Sequence, residues 1–399
     1  MIARNIILFV LLIVLPYLWV DYHFLLKRKR QPAWRRLIWW CPCVAMLGYT
    51  VILAREHDFI PRSGFYLEGY LLLWGLFIIP VAVFSLCSAV GYLCHRCRTR
   101  SRYADGTGVC LALLATAAYF YGFTTGFNRV VVKHVELSFD DLPAAFDGCR
   151  IVHVSDLHVG TYRGWRRHVL SAVIDSINSQ QADYIFFTGD LQNTRPEEVE
   201  SVRGELSKLR NVYSVLGNHD HGEYIRGTEE DKHAVEEKLQ RVVKELGWTL
   251  LVNESTIITR SVETAEASSS EGRPEGGILL IGTDNDGEPP FPALADYQRA
   301  YGGRQDTSRF CIMLQHDPSA WRRNILPKTT AQLTLSGHTH GGQIGVGSLR
   351  PTRIKYSEDS GLYQEGNRYL HVSNGAGALV PFRLGICNEI TVITLMNCK

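Results

Sequence analysis

Five short apolar runs in the second part of the chain each lead directly into a cluster of polar side chains. The runs span residues 150–155, 184–188, 212–216, 311–315 and 331–336, and each has the composition of a buried β-strand. In open α/β folds, ligands bind at the carboxyl ends of the strands. Five such ends that carry carboxylate, amide or imidazole groups therefore predict an α/β fold with one polar site at a sheet edge.

The last of these clusters, Gly337-His338-Thr339-His340, places two imidazoles two residues apart among glycines. Glycine allows tight backbone conformations and close approach, so both side chains can reach neighbouring metal ions. Alone, the segment is also compatible with a surface turn. The upstream clusters add carboxylate, amide and further imidazole groups, which suit divalent ions such as Mn, Fe, Zn or Co. Together the clusters predict a site for divalent metal.

The ordered set of clusters resembles the calcineurin-like metallophosphoesterase family over about residues 149–396. The motifs that carry the resemblance are Asp156-x-His158, Gly189-Asp190, Gly217-Asn218-His219-Asp220, His316 and Gly337-His338-x-His340. The segments GHTHGGQI and PFRLGICNEITVITL are most similar to a branch of membrane-associated or exported bacterial phosphodiesterases, some of whose neighbours hydrolyse lipid-linked pyrophosphates. The resemblance implies a four-layer αββα sandwich. Asn388 stands where many relatives have proline, which should affect a turn and not the metals.

The same resemblance implies two metal ions and a role for each motif residue. One ion is expected on Asp156, His158, Asp190 and His340, and the other on Asp190, Asn218, His316 and His338, with Asp190 as the bridge. A carboxylate can serve two cations because it has two oxygens. Paired ions clamp the attacking and leaving oxygens of a phosphoryl displacement, and they lower the pKa of a bridging water so that hydroxide is available near neutral pH. His219 is expected to contact phosphate and aid the leaving oxygen, whereas Asp220 either orients that imidazole or is a turn residue.

Four long apolar runs precede this part of the chain, at about residues 5–26, 37–54, 68–94 and 108–127. An α-helix needs roughly 20 residues to cross a bilayer. A signal peptide is the alternative for the first run, but the run is long and no small-x-small cleavage site follows it. The second run contains Pro42 and is the weakest candidate. The sequence thus predicts an all-α transmembrane region at residues 1–128 and a catalytic domain at residues 129–399.

The charges between the apolar runs predict how the chain is oriented in the membrane. The first loop, residues 27–36, and the third, residues 96–102, are basic, whereas the second loop has only Arg55 and Arg62, offset by Glu56 and Asp58. Excess Lys and Arg marks the cytoplasmic side. Four spans then leave the catalytic domain outside the cytoplasm, on the plasma (inner) membrane. A cytoplasmic domain requires three or five spans, or a second segment that re-enters.

The catalytic part is predicted to alternate strands and helices. Helical patterns lie at 165–179, 196–209 and 231–246, and further strands at 130–137, 278–282, 369–373 and 389–396, the first of them at a sheet edge. Residues 263–277 are rich in Ser, Glu and Gly and indicate a flexible surface insertion. Of the ten cysteines, Cys94 and Cys97 have CxxC spacing, but no second pair completes a zinc site. The cysteine spacing does not predict a set of disulfide bonds.

Several other polar residues are candidates either for substrate contact or for structural roles. The candidates for a pocket rim, each more often structural or solvated, are Tyr162, Arg163, Trp165, Gln343, Arg383 and the loop at 374–377. His153, His221, His233 and His371 are interpreted as packed or solvated histidines. Asp317 precedes proline and is interpreted as shaping the loop that presents His316.

These features predict a membrane-anchored, dinuclear metal phosphohydrolase that cleaves phosphodiester or pyrophosphate bonds, with a lipid or envelope molecule as one candidate substrate. The alternative is a non-catalytic ligand-binding or regulatory module on a membrane bundle. All eight motif positions are filled, whereas a degenerate module is expected to have lost one. The apolar runs hold few ionisable residues, which disfavours a transport pathway, and their presence disfavours a soluble protein phosphatase. A nucleic-acid partner is not expected, the net charge of +2 argues neither for nor against an acidic partner, and the oligomeric state stays open.

Overall fold

The structure is a computed structural model that describes residues 5–55, 64–96, 103–260, 276–302 and 309–398. It divides into two compact units, one formed by Met1–Thr124 with Tyr224–Arg226 and the other by Thr125–Glu223 with Gly227–Lys399. Several predictions from the sequence concern residues outside the described ranges: the loop charges at Glu56, Asp58, Arg62, Arg98, Arg100 and Arg102, the second cysteine of the CxxC pair at Cys97, and residues 263–275 of the insertion.

The first unit contains four helical stretches that are long and apolar enough to cross a membrane, Ile6–Lys27, Ala33–Arg55, Gly64–Cys94 and Ala104–Gly126. They comprise α1 (Ile6–Val20), α2 (Ala33–Arg55), α3 (Gly64–Leu73), α4 (Ile79–Arg96) and α5 (Ala104–Tyr121), with π-helical turns at Asp21–Arg28, Trp74–Ile78 and Gly122–Gly126. The four predicted apolar runs are therefore helical, and each is long and apolar enough to span a bilayer. Pro42 lies inside a continuous α2, since proline is tolerated where neighbouring helices and local adjustments satisfy the backbone.

A partly buried ion pair joins the first two of these stretches. The Asp21 carboxylate, at the end of α1, accepts two hydrogen bonds from the Arg36 guanidinium of α2, at 2.8 and 2.6 Å. Asp21 is buried, and an acidic group so placed is expected to be paired. The bidentate geometry fixes the first helical hairpin.

The second unit contains twelve strands in two six-stranded sheets. The strands are β1 (Val130–Phe139), β2 (Cys149–Val154), β3 (Tyr184–Thr188), β4 (Val212–Val215), β5 (Thr249–Leu250), β6 (Glu254–Ile258), β7 (Ile278–Gly282), β8 (Cys311–Leu314), β9 (Leu333–Ser336), β10 (Gly361–Glu365), β11 (Arg368–Val372) and β12 (Asn388–Asn397). The strand orders are β1-β12-β2-β3-β4-β5 and β10-β11-β9-β8-β7-β6. The predicted edge strand is therefore confirmed as β1, whereas β5, β6 and β10 have no counterpart among the predictions.

Residue alternation along the strands explains why the two sheets stack. In β8, Ile312 and Leu314 belong to a core that also contains Phe186 of β3, whereas Cys311 and Met313 face a separate core. Successive side chains of a strand point to opposite faces, so the shared core lies between the sheets and each outer face has its own core. The fold predicted from the sequence, an α/β sandwich of two mixed sheets that is preceded in the chain by an all-α region of apolar helices, is confirmed.

Helices cover the outer faces of the sandwich. They are α6 (Arg167–Ser179), α7 (Pro196–Glu200), α8 (Arg203–Leu206), α9 (Glu229–Glu245), α10 (Tyr297–Ala300) and α11 (Leu326–Lys328), with a π-helical turn at Trp321–Ile325. α6 and α9 pack against the first sheet, and α10 with the π-helical turn packs against the second. The helix predicted at 196–209 is two short helices instead. α9 begins with a capping box between Thr228 and Asp231, which satisfies its first backbone N–H groups.

Parallel pairing places the polar loops at one edge of each sheet. β2, β3 and β4 run parallel to one another, as do β7, β8 and β9. At the start of β12, Asn388 donates its backbone N–H to the carbonyl of Arg129 at 3.1 Å and its side-chain amide to the carbonyl of Phe127 at 2.5 Å. Proline has neither donor. The replacement of the proline found in many relatives by Asn388 therefore affects how β12 is joined to the residues before β1.

Candidate metal centre

The loops that follow five strands bring their polar side chains together. Asp156 and His158 follow β2, Asp190 follows β3, Asn218 follows β4, His316 follows β8, and His338 and His340 follow β9. Two groups could each hold a metal ion: Asp156, His158 and His340 form one, and Asp156, Asp190 and His316 form the other, with the offered ligand atoms of each group within 4.8 Å of one another. Five of the seven residues predicted as metal ligands thus belong to these two groups, which share Asp156.

The bridging position predicted for Asp190 has a clear geometric counterpart. The Oδ2 atom of Asp190 lies 3.5 Å from Nε2 of His158 and 3.3 Å from Nε2 of His316. One carboxylate oxygen therefore separates two imidazole nitrogens that belong to different ligand groups. A carboxylate has enough lone pairs to serve two cations, so this arrangement fits a bridging ligand.

Each half of the centre also contains a residue from the loop after β9. On one side, Nε2 of His340 lies 3.3 Å from Oδ1 of Asp156. On the other side, the amide oxygen of Asn218 lies 2.7 Å from Nδ1 of His338 and 3.2 Å from Nε2 of His316. Asp156 belongs to both of the groups above and Asp190 to one of them, whereas the resemblance implied Asp190 in both sets, so the two ligand sets stay a prediction.

Backbone carbonyls orient the two imidazoles that face Asp190. Nδ1 of His158 donates to the carbonyl of Gln192 at 3.2 Å, and Nδ1 of His316 donates to the carbonyl of Thr188 at 2.6 Å. A carbonyl oxygen only accepts, so Nδ1 of each ring carries a proton, and the neutral ring of His158 presents the Nε2 lone pair to the centre. Nε2 of His158 is buried without a hydrogen-bond partner among the described residues. Neutral imidazole nitrogens beside carboxylates fit divalent cations.

The backbone is strained at most of these positions. The non-glycine residues Asp156, His158, Asp190, His338 and His340 have φ angles of 53°, 45°, 59°, 69° and 51°. L-residues rarely adopt positive φ, and strain of this kind collects at functional sites because surrounding contacts enforce it. The ligand side chains are thus directed toward the centre by backbone conformations that an unconstrained loop would avoid.

Two motif glycines are required by close approach. A Cβ atom added at Gly217 would collide with the backbone nitrogen and the carboxylate of Asp190, and one added at Gly337 would collide with the side chains of Ser155 and Asp156. The glycine before each ligand therefore allows neighbouring loops to touch. This contact explains why glycine precedes Asn218 and His338 in the motifs of this chain.

The contacts of Asp220 favour the second of its two predicted roles. Its carboxylate accepts hydrogen bonds from the backbone N–H groups of Asp190, Leu191, Gln192 and Gly217, at 2.7, 2.9, 3.2 and 2.9 Å. It therefore joins the loop after β3 to the loop after β4. Its proposed alternative role, orienting the imidazole of His219, is performed by the carbonyl of Asn193, which accepts from Nδ1 of His219 at 2.7 Å. The contacts of Asp220 are thus with backbone groups of both loops, and its grouping with the catalytic side chains stays a prediction.

His219 lies beside the centre and is not part of either ligand group. Its ring packs edge-to-face on that of His158 with centroids 4.9 Å apart. Its backbone N–H donates to Oδ1 of Asp190 at 2.8 Å, which leaves Oδ2 directed to the two imidazoles. His219 therefore contacts both the ring of His158 and the carboxylate of Asp190.

Burial and charge give the two imidazoles around Asp190 very different pKa values. Burial lowers the pKa of His158 to about 3. For His316 burial acts in the same direction, but the charges of Asp190 and Asp156 and the hydrogen bond to Asp190 outweigh it and raise the pKa to about 10. For Asp220, burial and the charge of Asp190 raise the pKa to about 7. Since ligands must be deprotonated to bind metal, metal binding at this centre releases protons.

Sequence reasoning missed the residues that surround His338. The hydroxyl of Tyr356 lies 2.9 Å from Nε2 of His338, and the ring of Phe291 packs edge-to-face on its imidazole at 4.5 Å. Asp317, predicted only to shape the loop of His316, also lies close, with Oδ2 3.5 Å from Nε2 of His338. Neither Tyr356 nor Phe291 stands next to a motif, so no local pattern pointed to them.

The histidines interpreted as packed have the expected environments. His153 of β2 and His371 of β11 face each other between the sheets, with their Nδ1 atoms 2.9 Å apart, and Nε2 of His153 lies 2.9 Å from the hydroxyl of Thr188. Burial lowers the pKa of both rings, that of His371 to about 4. The pair therefore shares one hydrogen bond between neutral rings and joins the two sheets.

Most of the candidate rim residues have structural contacts. Tyr162 donates to the carbonyl of Ala376 at 2.7 Å, and Gln343 donates to the carbonyls of Val380 and Phe382 at 2.9 and 2.8 Å. The buried guanidinium of Arg383 donates to the backbone carbonyls of His340, Gly375, Gly377 and Cys387. Arg383 therefore holds loops together beneath the centre. Arg163 and Trp165 remain partly exposed candidates for the rim.

Comparison with known proteins gives matches to both units. A family model for the calcineurin-like phosphoesterase matches residues 149–342, and one for a probable calcineurin-like phosphoesterase transmembrane domain matches residues 3–127. The uncharacterized metallophosphoesterase YkuE of Bacillus subtilis (strain 168) is 30% identical over 317 residues, which cover 75% of this chain and 98% of that protein.

Two further relatives have the same domain. Phosphodiesterase YaeI of Escherichia coli (strain K12) is 24% identical over 75% of this chain and 99% of its own length. A transmembrane protein with metallophosphoesterase domain from Danio rerio is 28% identical over 78% of this chain and 69% of its own length. From these matches, together with the strand-end centre and the four apolar helices, the chain belongs to the calcineurin-like phosphoesterase family as an integral membrane metallophosphoesterase.

Proposed function

We propose that this protein hydrolyses phosphodiester or pyrophosphate bonds at a centre of two divalent ions held by Asp156, His158, Asp190, Asn218, His316, His338 and His340. The observation that carries the proposal is the position of Asp190 Oδ2 between Nε2 of His158 and Nε2 of His316. When bound, two divalent ions supply the Lewis acidity that activates water and neutralises phosphoryl charge. The residues of the chain orient the reacting groups around them.

His219 is proposed to contact the phosphate and assist departure of the leaving oxygen. Its imidazole is fixed by the hydrogen bond from Nδ1 to the carbonyl of Asn193, so its other nitrogen has a defined direction. A histidine held in one orientation beside the reacting group can donate a hydrogen bond or a proton. Asp220 supports this geometry by joining the two loops that carry Asp190 and His219.

The substrate class and the side of the membrane are also proposals. A lipid or envelope phosphodiester fits an enzyme whose relatives include a phosphodiesterase and whose chain carries four candidate spans.

The basic first loop supports an extracytoplasmic catalytic domain on the plasma membrane. In bacterial spheroplasts, a membrane-impermeant maleimide should label the exposed thiol of Cys398. Labelling only after lysis, with a Cys398→Ser control, would reverse the orientation.

The first experiment compares purified full-length protein with Asp190→Asn. We expect wild type to bind about two divalent ions and to hydrolyse bis-(p-nitrophenyl) phosphate or a lipid phosphodiester, because the complete ligand set is present. Loss of the bridging charge should lower both metal content and turnover. Asp175→Asn, on the exposed face of α6, is the matched control and should change neither. Wild type that holds metal but cleaves no phosphodiester or pyrophosphate would favour the binding module.

The second experiment separates catalysis by His219 from metal binding. His219→Asn should retain the metal content of wild type and lose about 10²–10⁴-fold in kcat, the usual contribution of a positioned acid or base. Metal content is measured by elemental analysis and turnover on the same sample. A loss of activity that merely follows a loss of metal would contradict the proposed role.

A further inference from the structure

We propose that residues 343–356, the segment between the last metal motif and Tyr356, form a membrane-docking loop that inserts aliphatic side chains into the surface of an anionic lipid bilayer. The loop presents Val346, Leu349 and Ile354 to solvent beside the basic side chains of Arg353 and Lys355. The docking is independent of the hydrolysis proposed above. Only its consequence, delivery of a lipid head group to the centre, rests on that function.

Exposure of large apolar side chains distinguishes this loop from the rest of the second unit. Val346, Leu349 and Ile354 are 80%, 76% and 92% exposed. The other exposed large apolar residues of that unit, where the structure describes them, are all less exposed than these three; they are Trp165, Ile257, Leu294, Ile344 and Leu362. Concentrated apolar exposure of this kind marks an interaction surface.

The exposed side chains project from a braced loop. The backbones of Val346 and Leu349 exchange two hydrogen bonds of 3.1 Å. At the base, Arg350 makes a bidentate contact with Asp359, at 2.7 and 2.9 Å, and the Asp359 side chain is fully buried. A bidentate charged pair fixes its side chains in one geometry. The structure therefore holds Val346 and Leu349 outward at the tip of the turn.

The charge of the loop selects an anionic lipid surface as its partner. Residues 343–356 contain three basic residues and no acidic one. Arg350 is committed to Asp359, and the half-exposed Arg353 lies 3.9 Å from the same carboxylate; Arg353 and Lys355 flank the exposed Ile354. Peripheral membrane binding has two components. Aliphatic side chains enter the membrane interface, and basic side chains contact anionic head groups. A bilayer is necessarily close to a chain that has four candidate spans.

The loop is attached to the metal centre at both ends. It begins three residues after His340, and it ends at Tyr356, whose hydroxyl contacts His338. Near that end, the ammonium group of Lys355 lies 4.7 Å from the ring centroid of Phe291, which itself packs on His338. A lipid held by the loop would therefore have its phosphate beside the centre, as hydrolysis of a membrane lipid requires.

The test uses the full chain in nanodiscs that contain anionic lipid, with and without bromine-labelled acyl chains. Val346→Trp should add a blue-shifted tryptophan emission to that of wild type, and the brominated lipid should quench most of this added emission. Leu362→Trp is the matched control, because Leu362 is an exposed apolar residue of β10 outside the loop. Its added emission should not be quenched. Equal, solvent-like emission from both variants overturns the docking proposal.

Two further measurements distinguish other partners and other failures. In nanodiscs of zwitterionic lipid alone, the quenching of Val346→Trp should decrease, since the basic side chains lose their anionic partners. An added emission that depends on protein concentration and not on bromine indicates a second copy of the chain and rejects the lipid surface. Hydrolysis of a soluble phosphodiester by Val346→Trp should equal that of wild type, so a failure of docking and a failure of the hydrolytic function are observed separately.

Discussion

At the scale of single residues, three imidazoles of the centre, those of His158, His316 and His338, each have a partner that fixes the orientation of the ring. Backbone carbonyls accept from Nδ1 of His158 and of His316. His338 has a side-chain partner instead, the hydroxyl of Tyr356 at Nε2. Partners of this kind set the tautomer and basicity of a metal-binding histidine. Asp317, whose Oδ2 lies 3.5 Å from the same nitrogen, adds a carboxylate beside the ring.

Tyr356→Phe should weaken metal binding on the side of Asn218 and His338. Removal of the hydroxyl frees the imidazole to rotate, and loss of such a partner typically costs about 10–100-fold in metal affinity or activity. Metal retention during titration with a chelator measures the affinity. Tyr301→Phe is the control, because it also removes a hydroxyl, one that accepts from the backbone N–H of Thr330. Equal retention by both variants would show that Tyr356 has no part in the centre.

At the scale of elements, the centre depends on how closely the loops after β3 and β4 approach. Asp220 accepts from backbone N–H groups of both loops, and Gly217 lies against the backbone of Asp190. The positions of loop residues at strand ends are fixed only when neighbouring loops contact them. The contacts of Asp220 and Gly217 fix the two loops in this way. The buried pair of His153 and His371 extends the same bracing across the two sheets.

Gly217→Ala should destabilise the catalytic unit and reduce its metal content together. The added methyl collides with the backbone nitrogen and the carboxylate of Asp190, and forced expansion of a packed site typically costs about 1–3 kcal/mol. Gly204→Ala, in α8, has open space around the new methyl and should be neutral or slightly stabilising. Thermal unfolding and elemental analysis compare the two. A Gly217→Ala protein with wild-type metal content would argue against the close approach.

At the scale of the whole catalytic unit, a charged histidine joins elements that belong to opposite halves of the sandwich. Nδ1 of His221 lies 2.9 Å from Glu236 of α9, and its Nε2 lies 2.9 Å from Asp284, which follows β7. α9 packs on the first sheet, whereas β7 belongs to the second. Burial alone would lower the pKa of His221, but the hydrogen bonds and charges of Asp284 and Glu236 raise it to about 10.

The stability of the unit should therefore depend on pH through His221. An unfolded histidine titrates near a pKa of about 6.5, so the stabilisation by charged His221 is complete below that pH and is lost as pH rises toward 10. The melting temperature of wild type should exceed that of His221→Gln most at pH 6 and approach it near pH 10. His233→Gln, on the exposed side of α9, should follow wild type throughout. A constant difference between wild type and His221→Gln across this range would contradict the charged state.

The amino-acid sequence by itself determined the framework of the protein. The five strand-end clusters predicted an α/β fold with one centre, and the structure brings Asp156, Asp190 and His316 to that centre. The apolar runs predicted four membrane-spanning helices, and the described residues contain four helices long and apolar enough to cross a membrane. These features are encoded locally, because strand alternation and apolar length are properties of consecutive residues. A polar residue directly after a buried strand can be recognised from the local sequence, without information on distant contacts.

Only the tertiary structure decided how the side chains of the centre are held. Asp220 and Arg383 were candidates for chemistry in the sequence, yet their contacts are with backbone groups of neighbouring loops. Tyr356 and Phe291 had no signal, and the His153–His371 contact joins residues 218 positions apart. The physical reason is that a hydrogen-bond partner is selected by the packing of two sheets and by loop geometry, neither of which is contained in the spacing of residues along one segment.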